Sequence, residues 1–260
     1  GVISIKVPSQ KRLKLKTNQT NYGTKVIYWM GYESFEYTPL FLQLIDSVDV
    51  FFDVGANIGY YSLLAAIEKP QMNIVAFEPA TGPLHYFREN IKLNRLNNIT
   101  VESLALSDQR GSVTFYEHKN EKYPYLKYNL SGQNNAGIST DSTLFTPRQV
   151  PTITFDQYVS EHKIKSIDLI KLDTEGTEHI ILKHANTVLK EFKPIVICET
   201  LFNTNEVELE ELFRSHNYDM YKLKGESLIP VETLKREVDD GIRDCIFIHP
   251  NNIEALNFLI

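Results

Sequence analysis

The chain has 260 residues, of which 42% are hydrophobic and 23% charged, a composition typical of a globular protein with a substantial core. Its formal net charge of −6 argues against binding along a nucleic acid backbone, because that requires a basic face. No apolar run reaches the roughly 20 residues of a membrane span. The two cysteines, Cys198 and Cys245, lie inside apolar runs, which favours buried free thiols and a cytoplasmic location.

Residues 1–47 predict an N-terminal cap of short antiparallel strands followed by a lead-in helix. Apolar positions recur loosely between polar clusters as far as residue 29, where 26–29 is predicted as the last of these strands. The densest basic patch comprises Lys11, Arg12, Lys14 and Lys16, and its simplest interpretation is a solvated edge strand whose lysines oppose aggregation. Residues 36–47 have apolar side chains at helical spacing, with Pro39 in the first turn.

From residue 48 onwards, short apolar runs alternate with segments of helical periodicity. The predicted core strands occupy 48–54, 73–77, 99–106, 167–172, 194–199, 218–223 and 244–249. The predicted helices occupy 60–68, 81–93, 155–161, 178–189 and 206–215. Residues 112–150 are polar and rich in Tyr, Asn and Ser, so they are predicted to be an insertion of strands and loop. A single α/β domain is accordingly predicted at 48–250, followed by a tail at 251–260.

This alternation predicts an α/β fold with a mostly parallel sheet and one reversed strand at its edge. The first crossover, residues 48–62, reads VDVFFDVGANIGYYS: a buried strand, a tight turn containing glycine, and a helix N-terminus. In open sheets of this kind, ligands bind beyond the carboxyl ends of the strands, near such a turn.

The residues of this turn discriminate among the nucleotide ligands that use the architecture. No lysine follows Gly59, so the sequence lacks the nucleoside-triphosphate loop. Asn57 stands where a dinucleotide site needs its middle glycine, while Gly55 and Gly59 let the backbone approach a ligand closely. Asp53 precedes the turn and would repel a phosphate. An acidic residue here suits a ligand with an ammonium group and no phosphate, which favours S-adenosylmethionine.

Glu78 ends the second core strand, where a carboxylate can accept hydrogen bonds from both ribose hydroxyls. A surface acid is the alternative for Glu78 alone, but its placement relative to the glycine turn favours a nucleoside ligand. Leu106, Ser107 and Asp108 follow the third strand and are positioned to pack on adenine and bond its edge. A simple turn cap explains Ser107 and Asp108 equally well.

The exit of the fourth core strand contains several groups that can transfer protons. Asp173 ends the strand, and Glu175 and His179 follow closely, so these are the candidate bases in that order. Helix capping is the alternative role for the two carboxylates. Lys171 lies inside the buried strand and needs a partner. Two carboxylates without a third ligand are only a weak indication of a metal, and no metal site is predicted.

Five stretches together resemble the FkbM family of S-adenosylmethionine-dependent methyltransferases. They are FFDVGANIGYYS, VAFEP, LALSD with Gly111, Asn135-Ala136-Gly137, and IKLDTEGTEHIIL. The similarity covers roughly residues 31–200 and includes Gly31-Tyr32-Glu33, which places Glu33 among the cofactor-binding residues. The resemblance implies a class I methyltransferase fold, Rossmann-like, with seven strands, helices on both faces and one antiparallel edge strand.

The family resemblance implies methylation of a hydroxyl on a sugar or natural product. The sequence therefore predicts an O-methyltransferase that uses S-adenosyl-L-methionine and acts on a small-molecule or saccharide acceptor, without a nucleic acid partner. Tyr123, Tyr125 and Tyr128 offer flat faces for that acceptor, and an aromatic hairpin on the outside of the protein explains them equally well. Two alternatives remain open: methylation of a nitrogen or carboxylate on a peptide or small molecule, and a cofactor-binding domain that serves as an interaction module.

Overall fold

The computed structural model describes residues 1–118, 128–130, 145–225 and 227–252. The strands, numbered in chain order, are β1 (Val2–Lys6), β2 (Arg12–Lys16), β3 (Val50–Val54), β4 (Asn73–Phe77), β5 (Ile99–Glu102), β6 (Ala105–Leu106), β7 (Gly111–His118), β8 (Phe145–Ile153), β9 (Leu169–Leu172), β10 (Ile195–Glu199), β11 (Asp219–Lys224), β12 (Ser227–Pro230) and β13 (Asp244–Ile248). The α-helices are α1 (Tyr22–Met30), α2 (Thr38–Leu44), α3 (Tyr60–Glu68), α4 (Thr81–Asn94), α5 (Phe155–Glu161), α6 (Glu178–Lys183) and α7 (Glu206–Ser215).

The chain divides into two compact units. The first comprises Gly1–Thr38, Gly55–Ala105 and Gly111–Thr152, and the second comprises Pro39–Val54, Leu106–Arg110 and Ile153–Ile260. In the first unit, β4 and β5 pair in parallel and β7 pairs with β8 antiparallel. In the second, β9 runs parallel to both β3 and β10, and its four residues are buried. Phe52 of β3 stacks on Phe155 of α5 there, with ring centroids 5.6 Å apart.

The predicted α/β architecture with a mostly parallel sheet is confirmed, but its strand count and its reversed strand are not. Within the described residues, the main sheet has eight strands in the order β12-β11-β13-β10-β9-β3-β4-β5. The additional strand, β12, arises because the chain folds back after β11 through Gly225, whose φ is +63°. Two strands, not one, run opposite to β9 and β10: β13 pairs antiparallel with β10 and β11 in the interior, and β12 pairs antiparallel with β11 at the edge.

The strand predicted at residues 26–29 is wrong, because these residues belong to α1. Asn21 caps this helix: its side chain accepts a hydrogen bond from the backbone N–H of Thr24 at 2.8 Å. Thr24 and Ile27 are the buried residues of the helix, three positions apart. β1 and β2 do form the antiparallel pair expected of the N-terminal region.

Two predicted elements are interrupted. The strand predicted at 99–106 ends at Glu102, and Ala105–Leu106 pairs instead in a three-stranded sheet with β8 and β7. The helix predicted at 178–189 ends at Lys183, and a separate π-helix follows at Val188–Phe192. The reason is Asp156, whose carboxylate accepts the backbone N–H groups of Thr187 and Val188 at 3.0 and 3.2 Å and so caps a new helix start.

Among the residues described, no helix has both the length and the apolar character that crossing a membrane requires.

Candidate active site

The glycine turn between β3 and α3 is fixed on the end of β4. The backbone N–H groups of Gly55 and Ala56 both donate to the carbonyl of Phe77, each at 3.0 Å. Asn57 takes a left-handed conformation (φ +51°), and its side-chain oxygen accepts the N–H of Ile58 at 2.8 Å. A non-glycine residue in this region is uncommon and is enriched at functional sites.

Glu78 is held by the same turn. Its side chain is only 6% exposed. One carboxylate oxygen accepts the N–H of Asn57 at 2.7 Å, and the other accepts the N–H of Ala80 at 2.8 Å. A carboxylate that accepts hydrogen bonds from two backbone donors has a fixed orientation. The side chain of Glu78 is therefore fixed relative to the glycine turn.

Gly59 admits no side chain. Its φ is +84°, and a Cβ placed there would lie 2.0 Å from the ring of Phe87 on α4. The next turn of α4 contributes Asn90, which is fully buried and donates to the carbonyl of Ile58 at 3.2 Å. The packing of α4 against the turn therefore requires glycine at position 59.

Lys171, predicted to need a partner, lies between two carboxylates. Its ammonium nitrogen is 3.5 Å from Oδ1 of Asp53 and 3.3 Å from Oδ2 of Asp173. Asp53 is fully buried, and it faces Lys171 in the parallel register of β3 and β9. The side chain of Asp173, in contrast, is 38% exposed. The lysine thus offsets the buried charge of Asp53 and orients the accessible carboxylate of Asp173.

The turn that follows β9 is organised by Glu178, a residue that sequence reasoning did not select. Its carboxylate is fully buried and accepts the N–H groups of Thr174 (2.7 Å) and Gly176 (3.2 Å) and the hydroxyl of Thr174 (2.8 Å). Its other oxygen accepts the side-chain amide of Asn205 at 2.7 Å. Glu178 therefore shapes the turn in which Glu175 sits.

Glu175 has the strained backbone of this turn, with φ +58°. Glu175 is exposed as a whole residue, but its carboxyl group is partly buried. This burial, together with the negative charges of Asp173 and Glu178, raises the pKa of the Glu175 carboxyl above its ordinary value. Lys171 counteracts part of this effect. A raised pKa suits a base that works near neutral pH.

Glu199 is a second acid that sequence reasoning missed. It ends β10, the strand paired with β9, so it lies beside Asp173. Burial, followed by the charges of Asp173 and Glu178, raises its pKa to about 9. One of its oxygens is buried without a hydrogen-bond partner among the described residues. Glu199 could have been selected from its position at a strand end, the same criterion by which Glu78 and Asp173 were selected.

The remaining residues predicted for the site are Glu33, Leu106, Ser107, Asp108 and His179. In the first unit, Glu33 is exposed in a short 3-10 helix. In the second unit, Leu106 is buried, the Ser107 hydroxyl donates to Asp108 at 3.1 Å, and Nδ1 of His179 has no hydrogen-bond partner within the described part of the chain.

Of the three tyrosines proposed for the acceptor, Tyr123 and Tyr125 lie outside the described residues, as does the 135–137 motif. Tyr128 is described, and it stacks on His85 with ring centroids 4.1 Å apart. No group of three or more His, Cys, Asp or Glu side chains in the described ranges is arranged to hold a metal ion.

A single protein-family profile covers the residues of the candidate site described above. The sequence profile of the "Methyltransferase FkbM domain" matches residues 53–220, which include Asp53, the glycine turn, Glu78 and the acids after β9 and β10. The chain belongs to the FkbM methyltransferase family. Membership of this family, predicted from the sequence motifs, is confirmed.

Three relatives illustrate the range of the family. The chain is 30% identical over 152 residues to 31-O-demethyl-FK506 methyltransferase FkbM from Streptomyces tacrolimicus, covering 52% of this chain and 58% of the relative. It is 25% identical over 158 residues to hexuronic acid methyltransferase AglP from Haloferax volcanii, covering 61% and 59%. It is 26% identical over 147 residues to 2-O-methyltransferase NoeI from Sinorhizobium fredii, covering 54% and 59%. The matches thus span somewhat under two thirds of each relative.

Proposed function

We propose that this methyltransferase transfers a methyl group from S-adenosylmethionine to a hydroxyl of a sugar, glycolipid or natural product. The names of three relatives support this acceptor class, since one acts on a hexuronic acid and two are named for O-linked positions. The observation that carries the proposal is the group formed by Lys171 in β9 and by Asp173 and Glu175 directly after it, because a hydroxyl acceptor must lose a proton as it is methylated.

The residues at the glycine turn fit the proposed cofactor. S-adenosylmethionine supplies an already activated methyl group on a cationic sulfonium, together with a ribose whose two hydroxyls need acceptors. Glu78 is a fixed carboxylate at a strand end, held by Asn57 and Ala80. Gly55 leaves the neighbouring backbone without a side chain, whereas the space beside Gly59 is filled by the ring of Phe87. These residues would hold the nucleoside, with Asp53 contributing negative charge next to the turn.

In this proposal, Asp173 accepts the proton of the acceptor hydroxyl. Its carboxylate is accessible, stands on the rigid end of β9, and is oriented by Lys171 at 3.3 Å. A positioned base contributes about 10²–10⁴-fold to the rate of such a step. Glu175 is the second candidate, favoured by its raised pKa, and His179 is the third.

The test combines cofactor binding with turnover. Calorimetry with S-adenosylhomocysteine should give binding, whereas NAD should give none. Turnover is then measured against a panel of free sugars, glycolipids, amines and carboxylates. Binding of NAD without binding of S-adenosylhomocysteine would overturn the cofactor, and turnover confined to amines or carboxylates would overturn the hydroxyl acceptor.

The base is tested by Asp173→Asn and Glu175→Gln, with the exposed Glu211→Gln on α7 as a matched control. Asp173→Asn should lower kcat by about 10²-fold or more while the affinity for S-adenosylhomocysteine stays within a few-fold. Glu175→Gln should have a smaller effect. A larger loss in Glu175→Gln would reverse the order of the two acids, and an unchanged kcat in both would direct attention to His179.

A further inference from the structure

The charge of the chain is unevenly distributed. Residues 1–32 contain six Lys and Arg residues and no Asp or Glu, and the first acidic residue is Glu33. Since the whole chain has a net charge of −6, the remaining residues carry −12. An isolated basic segment on an acidic protein indicates a local partner with negative charge.

The basic residues of the β1–β2 hairpin share one face. Cross-strand partners of an antiparallel pair point to the same side. The register pairs Lys6 with Arg12, Ser4 with Lys14 and Val2 with Lys16. The alternate residues of β2, Leu13 and Leu15, are fully buried on the opposite side. Four cationic side chains therefore project from the outer face of the hairpin, and Lys16 is the one paired with Glu89, at 3.3 Å.

Helix α1 contacts β1 of the hairpin and exposes large apolar side chains. Trp29 is 80% exposed, Tyr22 77%, Met30 66% and Tyr28 55%. On the helix, Tyr22 and Trp29 lie on the side opposite the buried Thr24 and Ile27, and the exposed Lys25 lies next to them. Aromatic and aliphatic side chains clustered in water mark an interaction surface. We refer to this set, with the basic hairpin face, as the N-terminal surface.

We propose that the N-terminal surface binds an anionic lipid membrane. Its lysines and arginine match phosphate headgroups, and Trp and Tyr are the side chains that settle at the membrane–water interface. Met30 and the half-exposed Val2 add aliphatic area that acyl chains accommodate well. A nucleic acid fits less well, because the rings of Tyr28 and Trp29 meet edge to face at 82° and so form no parallel platform for stacked bases.

The chain contains a direct reporter of this surface, because Trp29 is its single tryptophan. Vesicles of phosphatidylglycerol and phosphatidylcholine should shift the emission of Trp29 to shorter wavelength and sediment the full chain. Vesicles of phosphatidylcholine alone should do neither. Brominated acyl chains should quench the emission, and soluble glycerol phosphate at equal phosphate concentration should leave it unchanged.

Variants separate the roles of charge and of apolar contact. Each lost cation should weaken binding to anionic vesicles about fivefold, so Arg12→Ser/Lys14→Ser should bind roughly 25-fold more weakly. The matched control, Lys165→Ser/Lys190→Ser, removes the same charge at exposed positions elsewhere and should bind as wild type does. Tyr28→Ser/Met30→Ser should abolish the shift of Trp29 emission.

Three results would overturn the proposal. The first is the absence of sedimentation with anionic vesicles at low ionic strength. The second is a shift of Trp29 emission with single-stranded DNA or RNA and none with vesicles. The third is an emission that depends on protein concentration without vesicles, which would assign the surface to a second copy of the chain.

Discussion

Gly59 of the glycine turn leaves no room for a side chain. Gly59→Ala combines a left-handed backbone with a Cβ only 2.0 Å from the ring of Phe87. The backbone contributes about 1–2 kcal/mol and overpacking about 1–3 kcal/mol, so the free energy of unfolding should fall by about 2–5 kcal/mol. Urea unfolding followed by circular dichroism measures this loss.

The matched control is Gly241→Ala, where φ is +74° but nothing lies within 4 Å of the added Cβ. That variant should lose only the backbone contribution of about 1–2 kcal/mol. Equal losses in the two variants would show that the contact with Phe87 is easily relieved.

Glu199 should make stability depend on pH. Its pKa rises from 4.5 to about 9 on folding, so the folded chain keeps a proton that the unfolded chain releases. The stability contributed by this proton is complete below pH 4.5 and is lost as the pH rises towards 9. Glu199→Gln has no such proton, so near pH 9 it should be more stable than wild type by about 1 kcal/mol or more.

Urea unfolding at acidic, neutral and alkaline pH gives this comparison. The difference between Glu199→Gln and wild type should grow with pH, and Glu211→Gln, which replaces an exposed acid on α7, is measured beside it as the control for loss of a surface carboxyl. A difference for Glu199→Gln that does not change with pH would contradict a protonated Glu199 in the folded protein.

At the scale of elements, the conformation of the turn after β9 depends on a hydrogen bond from a residue just before α7. Asn205, fully buried just before α7, donates to Glu178 at 2.7 Å and accepts the N–H of Leu201 at 2.8 Å. Asn205→Ala leaves a buried carboxylate oxygen without this donor, which costs about 1–3 kcal/mol. Because Glu178 shapes the turn around Glu175, kcat should also fall, while the affinity for S-adenosylhomocysteine should not.

The exposed Asn97→Ala serves as its control and should stay within about 0.5 kcal/mol of wild type. If Asn205→Ala proves as stable and as active as Asn97→Ala, the turn does not depend on this hydrogen bond.

The elements show where sequence reasoning succeeds and where it stops. Helix α3 and strand β4 were predicted at their observed bounds, because periodicity and glycine fix them locally. Residues 26–29 were predicted as a strand, since β-branched and aromatic side chains favour strands, yet the cap at Asn21 and the burial of Ile27 decide for a helix. The break after α6 depends on Asp156, which is remote in sequence, so the helical pattern alone could not reveal it.

The candidate site shows the same limit. Asp53, Glu78, Lys171 and Asp173 could be selected because each lies in or at the end of a predicted strand. The contacts of Lys171 with both Asp53 and Asp173 depend on the register of β3 and β9, which a single sequence does not specify. The importance of Glu199 likewise arises only when β10 is paired with β9.

At the scale of the whole molecule, the exposure of Trp29 means that tryptophan emission and circular dichroism should report unfolding differently. Because this single tryptophan is 80% exposed in the folded chain, its emission should shift little when urea unfolds the protein. Circular dichroism at 222 nm should instead report a large cooperative change, since α3 and α4 are lost. A large shift of the emission to longer wavelength would show that Trp29 is covered in the folded state.

The two cysteines give the molecule a different kind of readout. Cys198 on β10 and Cys245 on β13 stand opposite each other in the ladder, and each is at most 1% exposed. Burial raises the pKa of both thiols, that of Cys245 to about 11, so neither forms a thiolate readily at neutral pH. A thiol reagent can then modify them only while the β10–β13 pair is open. The rate at which the two thiols are labelled therefore measures how often the β10–β13 pair opens. A cysteine introduced on the surface could carry a dye without removal of either native thiol.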